Sequence, residues 1–335
     1  MMPGWVRRQA STLLMAVLAA ALAPAILGNP VWLDNAILIA IFAMLALSVG
    51  MSYGHAGILS VATGAFAALG AFATSIATTR YNASPYLGLV IALVLPMLLA
   101  YPLARVVTRL SPLPLSIATL VLGSIVEIVI REGGDFTGGY IGISGIPPIP
   151  LAPTPAAMYA LAWTTVVIGL FLYCNLRHSA FGRAVATARQ DALRAAADGV
   201  NVSRSLAAFF ALSAAYAGAG GWLYAHNLSY VGPDSLNSTT SITVLLMAIV
   251  GGVSEPLGPV IGAALLLIIV NYLPAAESQG MVYGAALILI LLGAPRGILG
   301  TDWRRLARGR SASGPGTAAA RERPSAETAH VGEAK

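Results

Sequence analysis

The chain has 335 residues, 57% of them apolar and only 10% charged, with a mean hydropathy of +0.79. Thirteen acids and nineteen bases are too few to coat a soluble globule of this mass, and disorder is excluded because low hydrophobicity is its signature. A transmembrane β-barrel would show alternating segments of ~10 residues, whereas this chain shows long apolar runs.

A helix needs ~20 apolar residues to cross a bilayer. In chain order the candidate spans are Ser11–Gly28, Asn35–Met51, Gly57–Thr79, Leu87–Ala104, Leu115–Ile130, Ala156–Asn175, Ser205–Leu228, Ser241–Val253, Gly258–Leu273 and Met281–Ala294. The expected fold is therefore all-α and polytopic, with about ten transmembrane helices (eight to ten). The eighth and ninth are short, and Gly251-Gly252-Val253-Ser254-Glu255-Pro256-Leu257 joins them as either a turn between tilted spans or the tip of a re-entrant pair. The first span imitates a secretory leader, with Arg7-Arg8 and then Ala21-Leu22-Ala23. Pro24 obstructs cleavage and another span follows, so it reads as a signal anchor.

Charge sets the direction, because cytoplasmic loops carry the excess of Lys and Arg. With the N-terminus inside, only Arg80 and Arg131 of the nineteen bases fall outside. Both termini are thus expected in the cytoplasm, with a short N-terminus (1–10), a membrane domain (11–300) and a polar, disordered tail (301–335). Inside lies the loop 177–204. The segment 132–155, rich in Gly and Pro, forms the outer loop. The basic balance reads as orientation, and no basic stripe with interleaved aromatics points to nucleic acid.

Scarcities exclude further classes. Lys335 is the only lysine, so no P-loop Gly-Lys-Ser/Thr exists, and any ATP is bound by another subunit. A Schiff-base lysine within a span is excluded by the same count. Cys174 stands alone and the histidines number four, which rules out disulfide frameworks and thiolate clusters. No catalytic residue, metal site or cofactor is expected.

The residues left for chemistry are few. In the inner loop, Asp191-Ala-Leu-Arg-Ala-Ala-Ala-Asp-Gly199 reads as a short helix, N-capped by Asp191 and terminated by Gly199. With Arg189, Gln190 and Arg194 it fits a groove on a partner, or else is a solvated connector. Glu127 is the one carboxylate inside a confident span, and must face the bundle interior or pair with Arg131 four residues on. It marks either a solute path, a proton relay or an ion pair. His55, with Ser60 and Thr63, is expected to form a polar stripe along the third span and is the other path candidate. Gly50/Gly54, Gly64/Gly70, Gly218–Gly221 and Gly258/Gly262 permit close helix contact.

An ordered set of segments resembles one family, the M-type permease subunits of ABC importers for branched-chain amino acids. Gly54-His-Ala-Gly57-Ile-Leu-Ser60 with Gly64-Ala-Phe66, Thr137-Gly-Gly139 with Gly142-Ile-Ser-Gly-Ile-Pro147, and Ser179-Ala-Phe-Gly-Arg183 through Gly199-Val-Asn201 carry the likeness. So do Leu223-Tyr-Ala-His226 with Val231-Gly-Pro-Asp234, Gly251-Gly252 to Gly258-Pro259, and Pro295-Arg-Gly297. The resemblance implies a bacterial inner-membrane pore subunit. It would pair with a second permease, two cytoplasmic ATPases and a periplasmic binding protein, with Gly182, Arg183, Arg189, Gln190, Asp191, Arg194 and Gly199 in the coupling segment. Ile58 and Val61-Ala62-Thr63 depart from the family's usual Gln and Leu-Gly-His. The rival reading is a secondary transporter or channel carrying protons on Glu127.

Overall fold

The computed structural model describes residues 9–107, 111–272, 284 and 297–300, all within the unit Met1–Thr301. The described residues form α1 (Ala10–Leu27), α2 (Pro30–Val49), a π turn (Gly50–His55), α3 (Thr63–Arg80), α4 (Pro85–Val107) and α5 (Pro112–Glu132). There follow α6 (Gly134–Thr137), β1 (Ile143–Ser144), α7 (Pro155–His178), α8 (Ala180–Gln190), α9 (Ala192–Ala197), α10 (Val202–Leu228), β2 (Tyr230–Val231), α11 (Ser238–Gly251) and α12 (Gly258–Tyr272). Among these residues five helices are long and apolar enough to cross a membrane: Pro30–His55, Pro85–Val106, Leu113–Glu132, Pro155–His178 and Val202–Leu228. The expected span Met281–Ala294 and the tail lie outside the described residues.

Local signals start the helices. Asn29 accepts from the Val31 N–H ahead of Pro30, and Thr154 accepts from the Ala157 N–H ahead of Pro155. Both combine a polar N-cap with a proline that has no N–H to strand.

The core is built on α10, which packs against α4, α3 and α2. Its middle reads Ala214-Ala-Tyr-Ala-Gly218-Ala-Gly-Gly221, and small residues let backbones meet where larger side chains would hold them apart. A Cβ on Gly218 would overlap the Ala92 carbonyl of α4, and one on Gly221 the Ala67 carbonyl of α3. Gly70 of α3 meets Gly218 in the same way. The α11–α12 hairpin crosses on Gly251, Gly258 and Gly262, each against partner backbone. The joining segment 252–257 is a turn, with the Gly258 N–H donating to the Glu255 carbonyl. At 14 and 15 residues, α11 and α12 are each about 21–23 Å long, less than the ~30 Å of hydrocarbon.

Burial ranks the helices. In α2 83% of the most apolar window is inside the fold, against 28% in α4 and 22% in α5, so α2 is core and the other two are outer walls. The helix α3 is shorter and more polar than a free-standing span, and its Thr74, Ser75 and Thr78 are buried. Their hydroxyls bond back to carbonyls one turn earlier or to His226. Enclosure by neighbouring helices makes that composition tolerable.

Three expectations need correction. The third span was expected as helix from Gly57, but 57–62 is irregular and α3 begins at Thr63. The loop 177–204 holds two helices, α8 and α9, where only the second was anticipated. The fold also carries a two-residue antiparallel ribbon, Ile143 opposite Val231 and Ser144 opposite Tyr230, which ties the outer loop to the segment after α10.

Candidate functional site

One end of the bundle is organised around the π turn. Gly50 and Gly54 leave no room for side chains: a Cβ on Gly50 would come within 2.7 Å of Pro259 Cγ, and one on Gly54 would overlap the Val253 carbonyl. The end of α2 is thereby pressed onto the α11–α12 turn. The buried Tyr173 hydroxyl donates to the Gly50 carbonyl at 3.2 Å. A π bulge frees carbonyls from the α-helical ladder, and the neighbouring elements take them up.

That uptake joins residues far apart in sequence. His55 is buried, stacked on Phe209 with ring centroids 5.1 Å apart, and edge-on to Tyr173. Its Nε2 lies 2.9 Å from the Gly182 carbonyl of α8. A carbonyl only accepts, so Nε2 carries the proton. The Arg189 guanidinium, at the other end of α8, donates to the Gly54 carbonyl. Gly57 has φ +74°, and the site where its Cβ would stand is 2.9 Å from the Arg189 side chain, so glycine is required twice there. Arg177 donates to the Ser254 carbonyl at 3.0 Å, reaching the α11–α12 turn from the end of α7.

The two helices of the loop are locally well specified. Ser179 caps α8 by accepting from the Gly182 N–H, and Arg183 donates back to the His178 carbonyl at 2.6 Å. Asp191 caps α9, its Oδ1 accepting from the Leu193 and Arg194 N–H groups at 3.0 Å each. Gly199 closes α9 with φ +81°. Its N–H donates to Ala196 and the Val200 N–H to Ala195, a complete Schellman motif. Gln190, Arg194 and Leu193 project outward, and Leu193 is 85% exposed. The sequence reading passed over Leu193, whose signal was a lone large apolar residue on an alanine helix.

The polar stripe expected from His55 through Ser60 to Thr63 does not form. His55 belongs to the π turn against α8, while Ser60 sits within the irregular stretch 57–62 and Thr63 opens α3 beyond it, both buried in the bundle. The Ser60 hydroxyl accepts from the Ala62 N–H at 3.2 Å. Thr119 of α5 accepts from the Val61 N–H at 3.0 Å, and Ser241 of α11 from the Gly64 N–H at 2.8 Å. The break at 57–62 is thus satisfied by side chains of two other helices, as backbone at membrane depth must be. Thr119 and Ser241 were not foreseen.

At the opposite end, Glu127 pairs with Arg131 at 2.9 Å, and Arg131 also reaches Asp234 at 2.6 Å. Arg131 lies over the Tyr140 ring, 5.6 Å from its centroid. The hydrogen bond from Tyr140 to Glu132, with that carboxylate's charge, pushes the phenol pKa above its ordinary value. His226 ties this end to the core: its Nδ1 lies 2.8 Å from the Pro147 carbonyl and its Nε2 3.1 Å from Thr74 Oγ1. The carbonyl forces Nδ1 to donate and leaves Nε2 to accept from Thr74.

The family model described as branched-chain amino acid transport system / permease component matches residues 31–291. The high-affinity branched-chain amino acid transport system permease proteins LivM of Salmonella typhimurium and Escherichia coli are 29% and 28% identical to the chain, over 76% and 70% of it. The chain spans 66% and 62% of the length of those two relatives. A probable branched-chain amino acid transport permease protein LivH of Methanocaldococcus jannaschii is 26% identical over 84% of the chain and 96% of its own length. No solved structure matches. Packed apolar helices agree with that match, and the chain belongs to the branched-chain amino acid transport permease family.

Proposed function

We propose that the chain is a pore-forming subunit of an ATP-driven importer for branched-chain amino acids or a related small polar solute. It would have about ten spans and sit in the bacterial inner membrane with both termini in the cytoplasm. Its lack of a P-loop requires separate ATPases, and a second permease and a periplasmic binding protein complete the assembly. The observation that carries the mechanism is the double attachment of α8 to the end of α2, His55 to Gly182 and Arg189 to Gly54. An ATPase gripping α9 through Leu193 and Arg194, together with Gln190 at the end of α8, would move α8, and α8 would move α2 and the α11–α12 turn with it. Glu127 serves as a structural ion-pair partner of Arg131 in this reading and carries no proton.

The test is purification from native membranes in mild detergent, with mass spectrometry of stoichiometric partners and uptake in proteoliposomes. A P-loop ATPase, a second permease and ATP-dependent leucine uptake support the reading. A chain that purifies alone and carries solute without ATP would overturn it.

A further inference from the structure

Between α1, α2, α7 and α12 lies a partly open cavity of about 500 Å³. Three of its walls carry small residues where they border it: Ala19 on α1, Ala36 on α2 and Ala264 on α12. Protein interiors leave few voids larger than a water molecule, and atoms lining a void forfeit their dispersion contacts. A gap of this size therefore calls for an occupant.

Water does not suit it. Tyr159 spends its hydroxyl on the Ala19 carbonyl at 2.9 Å, and the indole N–H of Trp163 is buried and not exposed to the space. The remaining polar side chains, Asn35 and Asn271, bond to each other at 3.0 Å. Apolar cavities without polar partners stay dry. The shape selects further. The walls run from Met15 to Ile26 on α1 and from Val260 to Asn271 on α12, a depth of about 16 Å for eleven residues of helix. That is half of the ~30 Å of hydrocarbon, the share of one leaflet. A helix ~10 Å wide would need about 1,250 Å³ over this length, so the occupant is slimmer than a helix. Polarity is graded along the depth. Trp32, Asn35 and Asn271 border the end away from α8, and the exposed Trp32 is of the type that gathers at membrane interfaces. Met15 and Val260 border the opposite, apolar end.

We infer that this cavity is a binding site for one acyl tail of a membrane phospholipid, whose ester and headgroup lie at the rim made by Trp32, Asn35 and Asn271. In the orientation proposed above, the lipid belongs to the outer leaflet. Its tail supplies the packing between α1 and α12 that the alanines leave out. The inference needs the membrane location of the chain and not the importer reading.

The test is photolabelling of the full transporter in proteoliposomes, with a phospholipid carrying a diazirine midway along one tail. Adducts are mapped by mass spectrometry, before and after exchange into detergent without lipid. The outward side chains Val94 and Leu98 of α4 report lipid that merely surrounds the protein. Adducts at Met15 and Trp163 should survive the exchange, while those on α4 are lost. Ala36→Phe and Ala264→Phe fill the cavity from separate helices. By denying the tail a few buried methylenes, each should cut the cavity adducts at least about tenfold and leave those on α4 unchanged. Cavity residues that stay unlabelled in the parent would show that protein covers them and would overturn the site. So would adducts that wash out together with those on α4, or that persist undiminished in both filled variants. The exchange comparison uses the parent alone, so a variant that fails to accumulate does not remove the test.

Discussion

The two attachments of α8 to α2 can be weighed by removing them. His55→Phe keeps a ring between Phe209 and Tyr173 but deletes the donor to Gly182. Within α8 that carbonyl retains its intrahelical bond, so the loss is of one hydrogen bond, about 1 kcal/mol. Arg189→Met is costlier, because the Gly54 carbonyl lies at the end of the π turn. The nearby N–H groups of Ala56, Gly57 and Ile58 donate to Met51, Tyr53 and Ser52 instead. Stranding it costs about 1–3 kcal/mol. The double variant should therefore weaken the latch by about 2–4 kcal/mol, at least about 30-fold in the equilibrium between attached and released arm. In proteoliposomes carrying the whole complex, ATP turnover should persist while leucine taken up per ATP falls at least about tenfold. His55→Phe alone should lower it about fivefold. A double variant that assembles normally and keeps uptake per ATP within twofold of the parent would refute the latch as the route of coupling.

Gly199→Pro cannot adopt φ +81° and loses the N–H given to Ala196, a cost of about 3 kcal/mol; uptake should be lost with the protein still in the membrane, and normal uptake would count against α9 as the docking element. Gly221→Val drives a branched side chain into the Ala67 carbonyl of α3. An overpacking cost of about 3 kcal/mol or more should remove the monodisperse peak in detergent size-exclusion, and an unchanged peak would disprove the close crossing. Glu127→Gln leaves Arg131 its second partner, Asp234, and the pair is partly exposed. The loss should be about 0.5–1 kcal/mol, with uptake within threefold of the parent. Abolished uptake that also responds to a protonophore would favour a proton-linked carrier.

Hydropathy made the long spans legible, since lipid selects on composition and needs no tertiary information. The caps of α9 were equally legible, because Asp191 and Gly199 act on neighbours within a few residues. The other half of the arm was not. α8 is short and buries only Gly182, Val185 and Ala188, too narrow a stripe to stand out among alanines and arginines. The break at 57–62 is invisible for a different reason. Ile58, Leu59, Val61 and Ala62 would suit a helix, and the side-chain bonds that take the place of the ladder come from Thr119 and Ser241, 58 and 177 residues from the Val61 and Gly64 N–H groups they accept from. His55 was noticed as a lone polar group, but its role depends on a carbonyl 127 residues away. A residue's chemistry can be read locally; its partner cannot.

The glycine crossings that join α3, α4 and α10 have a mechanical consequence. Backbone pressed on backbone leaves no side chain to change rotamer and almost nothing to compress, so these three helices must travel as a single block. Bending is left to the joints at the block's margin, the six irregular residues 57–62 and the 252–257 turn. Arg189 and Arg177 hold those joints from the α7–α8 side. The molecule is thus stiff in its middle and jointed where an external lever is attached, so a small push on α8 is delivered to the hinges and not dissipated in the core.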